Sequence, residues 1–422
     1  MTTVRLRHLA KVNPPTPAFD RLRADDEITF LPMEAVWPGQ RLDLTRRSTK
    51  AAVATGYTRF QDGDVLVPKI TPTFEAARAV LVDGLHRGVG AGTTELHVLR
   101  PGPRIDPRFL LYVVNTHSFL KLGEAEMYGV AGQQRVPDDF LRNLPVALPT
   151  LEEQRRIADF LDAEAARLDS ITTHRASQVA ALREREMSVI YSHIAGTLER
   201  GERKSTGWSW IQSTPSHWRI APVYSVYDVQ LGKMLNTERT SGDHLKPYLR
   251  NANIGWYSIN TSHLAVMNFP PNERRRYRVR AGDLLVCEGG AGVAEAAVWD
   301  APGVEVFYQK SLHRVRARQD VPVEWLMYWL RIAKHMGLFA SEGNIATIPH
   351  LTGEQLRESR IPVPPDSRDR VRKISAAVEH IHRLIKILQS ADQLLNENRK
   401  ALITAAVTGQ IDVTTARGVD AV

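Results

Sequence analysis

The chain has 422 residues, 43% hydrophobic and 24% charged, which allows two or three domains with cores of their own and excludes wholesale disorder. Lys and Arg number 55 against 47 Asp and Glu, with an isoelectric point near 9.6, a surplus that permits an anionic partner without requiring one. No run approaches the ~20 apolar residues of a membrane span, the start lacks a signal-peptide core, and one cysteine, Cys287, excludes an internal disulfide and a multi-cysteine zinc site, so a cytoplasmic setting is expected.

In chain order, Leu6 to Val12 leads through Pro14, Pro15 and Pro17 to the apolar run Phe30 to Val36, which reads as a short strand with a turn beside it. A similar run, Tyr248 to Ile254, stands 218 residues later. Gly63-Asp64-Val65-Leu66-Val67 returns 219 residues on as Gly282-Asp283-Leu284-Leu285-Val286, each a Gly-Asp turn feeding a strand. The offset then holds at 216: His97 and Arg100 pair with His313 and Arg316, and Phe109 to Tyr112 pairs with the helical-looking Trp325 to Tyr328. Leu141-Arg142 before Pro145-Val146, and Leu356-Arg357 before Pro362-Val363, bring each half to a Pro-flanked strand. Self-similarity at one period marks an internal duplication.

A long amphipathic helix follows each half. In the second, Ile374, Ile381, Leu388, Leu395 and Leu402 recur every seven residues, a coiled-coil seam over about four heptads. In the first, Leu161, Leu168, Leu182 and Val189 keep that register, Ile157 and Ile171 flank it, and Arg175 interrupts it as a candidate register pin. Each spans ~40 residues, or ~60 Å, and both turn off alike, at Ala195-Gly196-Thr197 and Thr408-Gly409-Gln410. The fold expected is two similar mixed α/β domains separated by two long helices packed as an antiparallel coiled coil, with a pseudo-twofold internal repeat. Its boundaries are a first domain over 1–150, a central spacer helix over 151–198, a linker over 199–207, a second domain over 208–365, a C-terminal spacer helix over 366–412 and a tail over 413–422.

Motifs with catalytic associations fall short of a centre. Asn13-Pro14-Pro15-Thr16 resembles an amino-methyltransferase tetrapeptide, but Thr16 replaces the stacking aromatic and no Gly-rich cofactor loop accompanies it. Glu288-Gly289-Gly290-Ala291-Gly292 lacks the Lys-Ser/Thr of a nucleotide loop and reads as a tight turn or a place where backbone approaches a DNA phosphate. No histidine spacing points to a metal. Trp208, Trp210 and Trp218 read as packing for the first strand of the second domain.

What remains are polar and basic loops at matching places. The first half carries Arg46, Arg47 and Lys50, then Lys69, Thr71 and Thr73, then Gln133, Gln134 and Arg135. The second carries Lys233 and Arg239, then Lys246, Arg250, Asn251 and Asn253, then Arg274, Arg275, Arg276 and Arg278. Arg, Lys, Asn and Gln read base edges with paired hydrogen bonds, and spare cations hold phosphates, so these are the candidate DNA contacts.

The sequence resembles the specificity (S) subunit of type I restriction-modification systems. The resemblance rests on Gly63 to Leu66 with Lys69 to Glu75, on Thr94 to Arg100, on Pro149 to Leu161 with its Glu153-Gln154 and Ile157-Ala158, and on Ala405 to Asp412. It implies a non-catalytic chain with two target-recognition domains, each reading one half of a split, asymmetric DNA site, held apart by the paired helices. It further implies two modification subunits that bind S-adenosylmethionine and methylate adenine, and motor-nuclease subunits for restriction. The second half departs from the family pattern where Pro364 to Arg370 replaces the Glu-Gln pair and where Cys287-Glu288 replaces Pro68-Lys69, so the two half-sites are expected to differ.

Overall fold

The computed structural model describes residues 2–37, 41–130, 132–234, 241–301, 303–339 and 350–413. Candidate Arg239 lies outside them. The chain forms two compact units: Met1–Ala176 with Leu388–Val422, and Ser177–Ile387. Each long helix, Leu151–Ile194 and Ser367–Val407, therefore contributes residues to both units.

In the first unit one antiparallel sheet runs in the order Ala10–Val12, Leu96–Pro101, Val65–Pro68, Val80–Leu81. A second runs Arg47–Thr49, Glu27–Leu31, Val89–Gly92, Thr58–Gln61, with its two middle strands parallel. The second unit repeats this plan. Tyr227–Leu231, Leu312–Ala317, Leu284–Cys287 and Ala296–Val298 form the antiparallel sheet, and Leu245–Leu249 lies parallel to Phe307–Tyr308 in the other. In both units a Pro-flanked pair, Thr2–Arg5 with Pro145–Leu148 and Arg219–Pro222 with Arg360–Val363, precedes the long helix. The helices Pro107–Val113 and Val323–His335 bury their aromatic and aliphatic faces in the respective cores.

The repeated Gly-Asp signature has one physical cause in both units. Gly63 and Gly282 adopt φ of 83° and 84°, a left-handed conformation that glycine takes without a steric cost. Asp64 then accepts from the Gln61 N–H at 2.9 Å and Asp283 from the Arg280 N–H at 2.7 Å, closing the turn. The same carboxylates take the strand arginines: Arg100 holds Asp64 at 2.7 and 2.8 Å, and Arg316 holds Asp283 through Nε and through Nη2 at 2.7 Å. Asp64 and Asp283 are 0% and 2% exposed, so each arginine compensates a carboxylate that burial alone would disfavour.

The long helices start from different chemistry. Thr150 and Glu153 form a capping box, with the Thr150 N–H donating to Glu153 Oε2 at 2.8 Å and the Glu153 N–H to Thr150 Oγ1 at 3.3 Å. Buried Gln154 accepts from the Asp106 N–H at 2.8 Å and donates to the carbonyls of Arg104 and Pro149. The second unit lacks that pair, and Arg370, 216 residues after Gln154, does the corresponding work: it is 6% exposed, pairs with Glu199 and Asp366, and lies over the Trp218 ring at 4.6 Å.

Within each unit the helix segments run antiparallel. In the first, Asp169 pairs with Arg399 at 2.7 Å and Arg175 with Asp392 at 3.2 Å; in the second, Glu186 meets His382 at 3.1 Å and Glu199 meets Arg370. Ile157, Leu161, Leu168, Ile374 and Ile381 are buried, whereas Ile171, Leu388, Leu395 and Leu402 are half-buried, as expected where two helices have no third layer. The heptad reading places Leu182 and Val189 on the seam; both are half-buried, and Glu186, Met187, Ile190 and Ile194 take the buried positions. A 3.6-residue helix drifts against a strict 3.5 repeat, and the buried carboxylate of Glu186 carries the stripe where an apolar count cannot follow it.

The stretch read as a linker is tied down. Arg203–Ser205 pairs with Ser213–Pro215, and the Arg203 guanidinium donates to the carbonyls of Ala195, Gly196 and Ser213. Trp218 is fully buried, Trp208 stacks on Trp210 at 5.8 Å, and Trp210 meets Trp329 edge-on, so the tryptophans pack the core. Cys287 is buried, which pushes its thiol up to about 12.

Candidate nucleic-acid interface

In the first unit three loops converge at the end of the Val65–Pro68 strand. The Lys69 N–H donates to the Glu95 carbonyl at 2.9 Å, and the Lys69 carbonyl accepts from the Val136 N–H at 2.9 Å. The Thr71 N–H donates to the Gln134 carbonyl at 3.0 Å, while the Gln134 N–H donates to Thr71 Oγ1 at 3.3 Å. Tyr128 and Arg135 exchange both backbone bonds, at 3.2 and 2.9 Å, which makes 128–135 a hairpin. Its Arg135 guanidinium grips Glu95 through Nε at 2.9 Å and Nη2 at 2.7 Å. That pair holds the Glu95 carboxyl below the usual carboxylate range.

The structure thus brings together Lys69, Thr71, Gln134 and Arg135, with exposed Gln133 beside them. Thr73 turns inward, its hydroxyl donating to the Ile70 carbonyl at 2.6 Å. Tyr128 and Val130, 61% and 79% exposed on the same hairpin, escape a search for polar residues; the flanking Gly129 and Gly132, both at positive φ, were the available signal of a projecting turn.

Arg46, Arg47 and Lys50 sit on or beside the Arg47–Thr49 strand of the other sheet. Arg46 pairs with Glu34 and Asp43 at 3.2 and 3.3 Å. Arg47 donates to the carbonyls of Leu44 and Arg46, and Lys50 donates to the carbonyls of Asp20 and Leu22. These cations are spent on partners within the first unit.

In the second unit Lys233 is 3% exposed, donates to the Asn268 carbonyl at 2.6 Å, and pairs with Glu273. Asn253 is 6% exposed, accepting from the Arg250 N–H at 3.0 Å and donating to the Asn260 carbonyl at 2.9 Å. These two shape loops from within. Asn251 donates to the Gly289 carbonyl at 2.8 Å, and Lys246 pairs with Glu305 at 2.7 Å. The helix Pro271–Tyr277 projects the exposed cations Arg275 and Arg276, exposed Arg278 follows it in extended backbone, and Arg274 donates to the Phe269 carbonyl at 3.1 Å. Arg274, Arg275 and Arg278, with Arg280, line a cavity of about 610 Å³ beside Glu305. Arg280 is a further exposed cation that the sequence reading missed; it precedes the Gly-Asp turn, where its backbone role hides its surface one.

Two buried histidines fasten these edges to the sheets. His97 Nε2 lies 2.9 Å from the Val136 carbonyl and His313 Nε2 lies 2.7 Å from that of Leu351. A carbonyl only accepts, so both rings carry the proton on Nε2. Burial pushes each imidazole down to about 4. Asn13 joins this fastening: it donates to Asp138 at 2.8 Å and accepts from the Val98 N–H at 2.8 Å, while Pro15 and Thr16 receive the Arg100 guanidinium. The methyltransferase-like tetrapeptide is a structural tie. The Gly-rich run after Glu288 is a turn, closed by Val293 N–H to the Gly290 carbonyl.

Among the described residues no cluster of three or more His, Cys, Asp or Glu could hold a metal, and no helix is long and apolar enough to cross a membrane.

Residues 90–181 match the family model described as the type I restriction modification DNA specificity domain. This part of the chain is similar to type I specificity subunits. The chain is 40% identical over 156 residues to the specificity subunit of the type I restriction enzyme EcoAI of Escherichia coli, an alignment covering 36% of this chain and 26% of that protein. The matched stretch thus spans about a quarter of that relative's length. A chain solved in a study of complex assembly and conformational transition of the type I R-M system superposes with a TM-score of 0.75 at 18% identity, covering 97% of this chain and 98% of that one. The crystal structure of the HsdS subunit from Thermoanaerobacter tengcongensis gives 0.56 at 18% identity, with 97% of both chains covered. At these identities the likeness establishes a shared fold. The specificity-domain match includes Glu95, the 128–135 hairpin and the start of the central helix.

Proposed function

We propose that this chain is the non-catalytic DNA-specificity subunit of a type I restriction-modification complex. Each unit reads one half of a split, asymmetric DNA site, and the two long helices set the unread gap between the halves. The chain also scaffolds two modification subunits, which carry S-adenosylmethionine and methylate adenine, and motor-nuclease subunits join for restriction.

The observation that carries this reading is a repeated scaffold with unlike side chains at equivalent edges. The Gly-Asp turns, buried histidines and parallel strand pairs recur, whereas Lys69, Gln134 and Arg135 in one unit face Glu288 and His350 in the other. One frame with two sets of hydrogen-bonding groups is what two different half-sites require. Half-sites read from one face of DNA lie ~34–36 Å apart per helical turn, and ~40 residues of helix span ~60 Å, enough for a spacer.

The test is long-read mapping of methylated adenines in the host, with the full chain and with four residues, about one helical turn, inserted into either long helix. The expected result is a changed gap with both half-sites intact. An altered half-site at an unchanged gap would refute the spacer role.

A further inference from the structure

The clustered side chains of the first unit differ in what their hydrogen bonds leave free. A guanidinium has five N–H donors fixed in one plane. In Arg135 the Nε donor and one Nη2 donor are occupied by the two oxygens of Glu95, at 2.9 and 2.7 Å. The other Nη2 donor and the Nη1 pair remain at the end of the fork, where Nη1 makes a long 3.5 Å approach to the Gln133 carbonyl.

Glu95 is the inner member of this pair and Arg135 the outer, at 25% and 42% side-chain exposure. Glu95 is itself held at its backbone, by Thr93 Oγ1 at 3.2 Å and by the Lys69 N–H at 2.9 Å. The pair is electrically neutral, so it adds little to the attraction for phosphate, which scales with net charge. It keeps a rigid pair of coplanar donors, the shape that matches O6 and N7 on the major-groove edge of guanine. Lys69, whose ammonium makes no hydrogen bond or ion pair among the described residues, supplies the unneutralised charge nearby.

We infer that Arg135 is the guanine-reading residue of the first unit and that Glu95 is its positioning residue. The inference rests on the proposed DNA-reading function and names the base for one of its contacts. The bridge between Ile70 and Arg135 recurs in the second unit as the bridge between Gly289 and His350. There the exposed group is an imidazole, with Nε2 at 3.4 Å from Glu288 and 52% side-chain exposure. The two ring nitrogens of an imidazole point apart and cannot both meet one base edge, so this position of the second unit lacks the device.

The experiment maps methylated adenines in a host carrying the full-length chain as wild type, R135A, R135K or E95Q. The wild-type motif is expected to hold a guanine in one half-site. R135A then lowers the preference for that guanine by roughly 10- to 100-fold and leaves the other half and the gap unchanged; R135K and E95Q loosen the same base by smaller factors. Three results overturn the inference while leaving the DNA-reading function standing: a motif unchanged by R135A, a uniform fall in methylation with the motif intact, as a phosphate contact gives, or an affected half-site without guanine. Equal abolition of methylation by all three variants also overturns it, since Arg135 and Glu95 would then be a structural tie. A wild-type chain that yields no split motif removes the parent reading together with this one.

Discussion

At the end of the Gly-Asp strand the first unit carries Lys69 and the second carries Glu288, and the two backbones make the same bonds. Each donates to the start of the neighbouring strand, at Glu95 and Ser311, and each accepts from the residue after Arg135 or His350, Val136 and Leu351. Each neighbouring strand then sends a buried histidine back to that last residue. The side chains on this shared frame differ in charge: lysine and arginine with an inner glutamate in one unit, glutamate with histidine and serine in the other. Scaffold and surface have separated: groups that close the frame point inward and recur, and groups that point outward are free to differ.

The largest test of that equivalence removes the inward carboxylates. D64A and D283A should each cost about 3–5 kcal/mol, because each strands a partly buried arginine and opens a turn. Chemical denaturation reads the loss, and strongly unequal costs would break the claim that the two turns are one device.

The histidines come next. Their folded-state values near 4 lie below the ordinary value near 6.5, so the unfolded chain takes up protons first as pH falls. Stability should be complete above about pH 6.5 and decline towards pH 4 by about 3 kcal/mol per histidine. H97Q and H313Q, which keep a donor near Nε2, should each flatten this acid slope in a denaturation series run at several pH values. A slope insensitive to both would show that the rings are accessible to protons in the folded chain.

A smaller effect distinguishes the helix pairs. In the second unit Glu186, 2% exposed, receives the Tyr257 hydroxyl at 2.9 Å and meets His382 at 3.1 Å and Arg331 at 3.6 Å. E186A should cost about 2 kcal/mol by leaving buried donors without a partner. In the first unit the pair Arg175–Asp392 is a quarter to a third exposed, and a double-mutant cycle should give a coupling of about 0.5 kcal/mol. A coupling at Arg175–Asp392 as large as the E186A loss would mean that burial does not separate the two contacts.

Much of the frame was legible in the residues. Gly63 and Gly282, Asp64 and Asp283, His97 and His313 were visible as pairs because an inward-facing group has one geometry to satisfy and little freedom to change. The central helix announced itself through Ile157, Leu161 and Leu168. The seam past Arg175 was less legible, since Glu186 breaks the apolar count and yet is buried. The candidate interface was least legible. Lys233 and Asn253 look like surface polar residues and are interior ties, while Tyr128, Val130 and Arg280 carried no polar pattern that marks an interface.

The sequence by itself determined the duplication, the elements of each half and the two long helices, because periodicity and turn glycines act over a few neighbouring positions. Tertiary structure alone decided which polar side chains are spent. Lys50 loses its donors to carbonyls 28 and 30 residues away, Arg135 keeps half of its fork because Glu95, 40 residues distant, takes the other half, and no local pattern encodes those meetings.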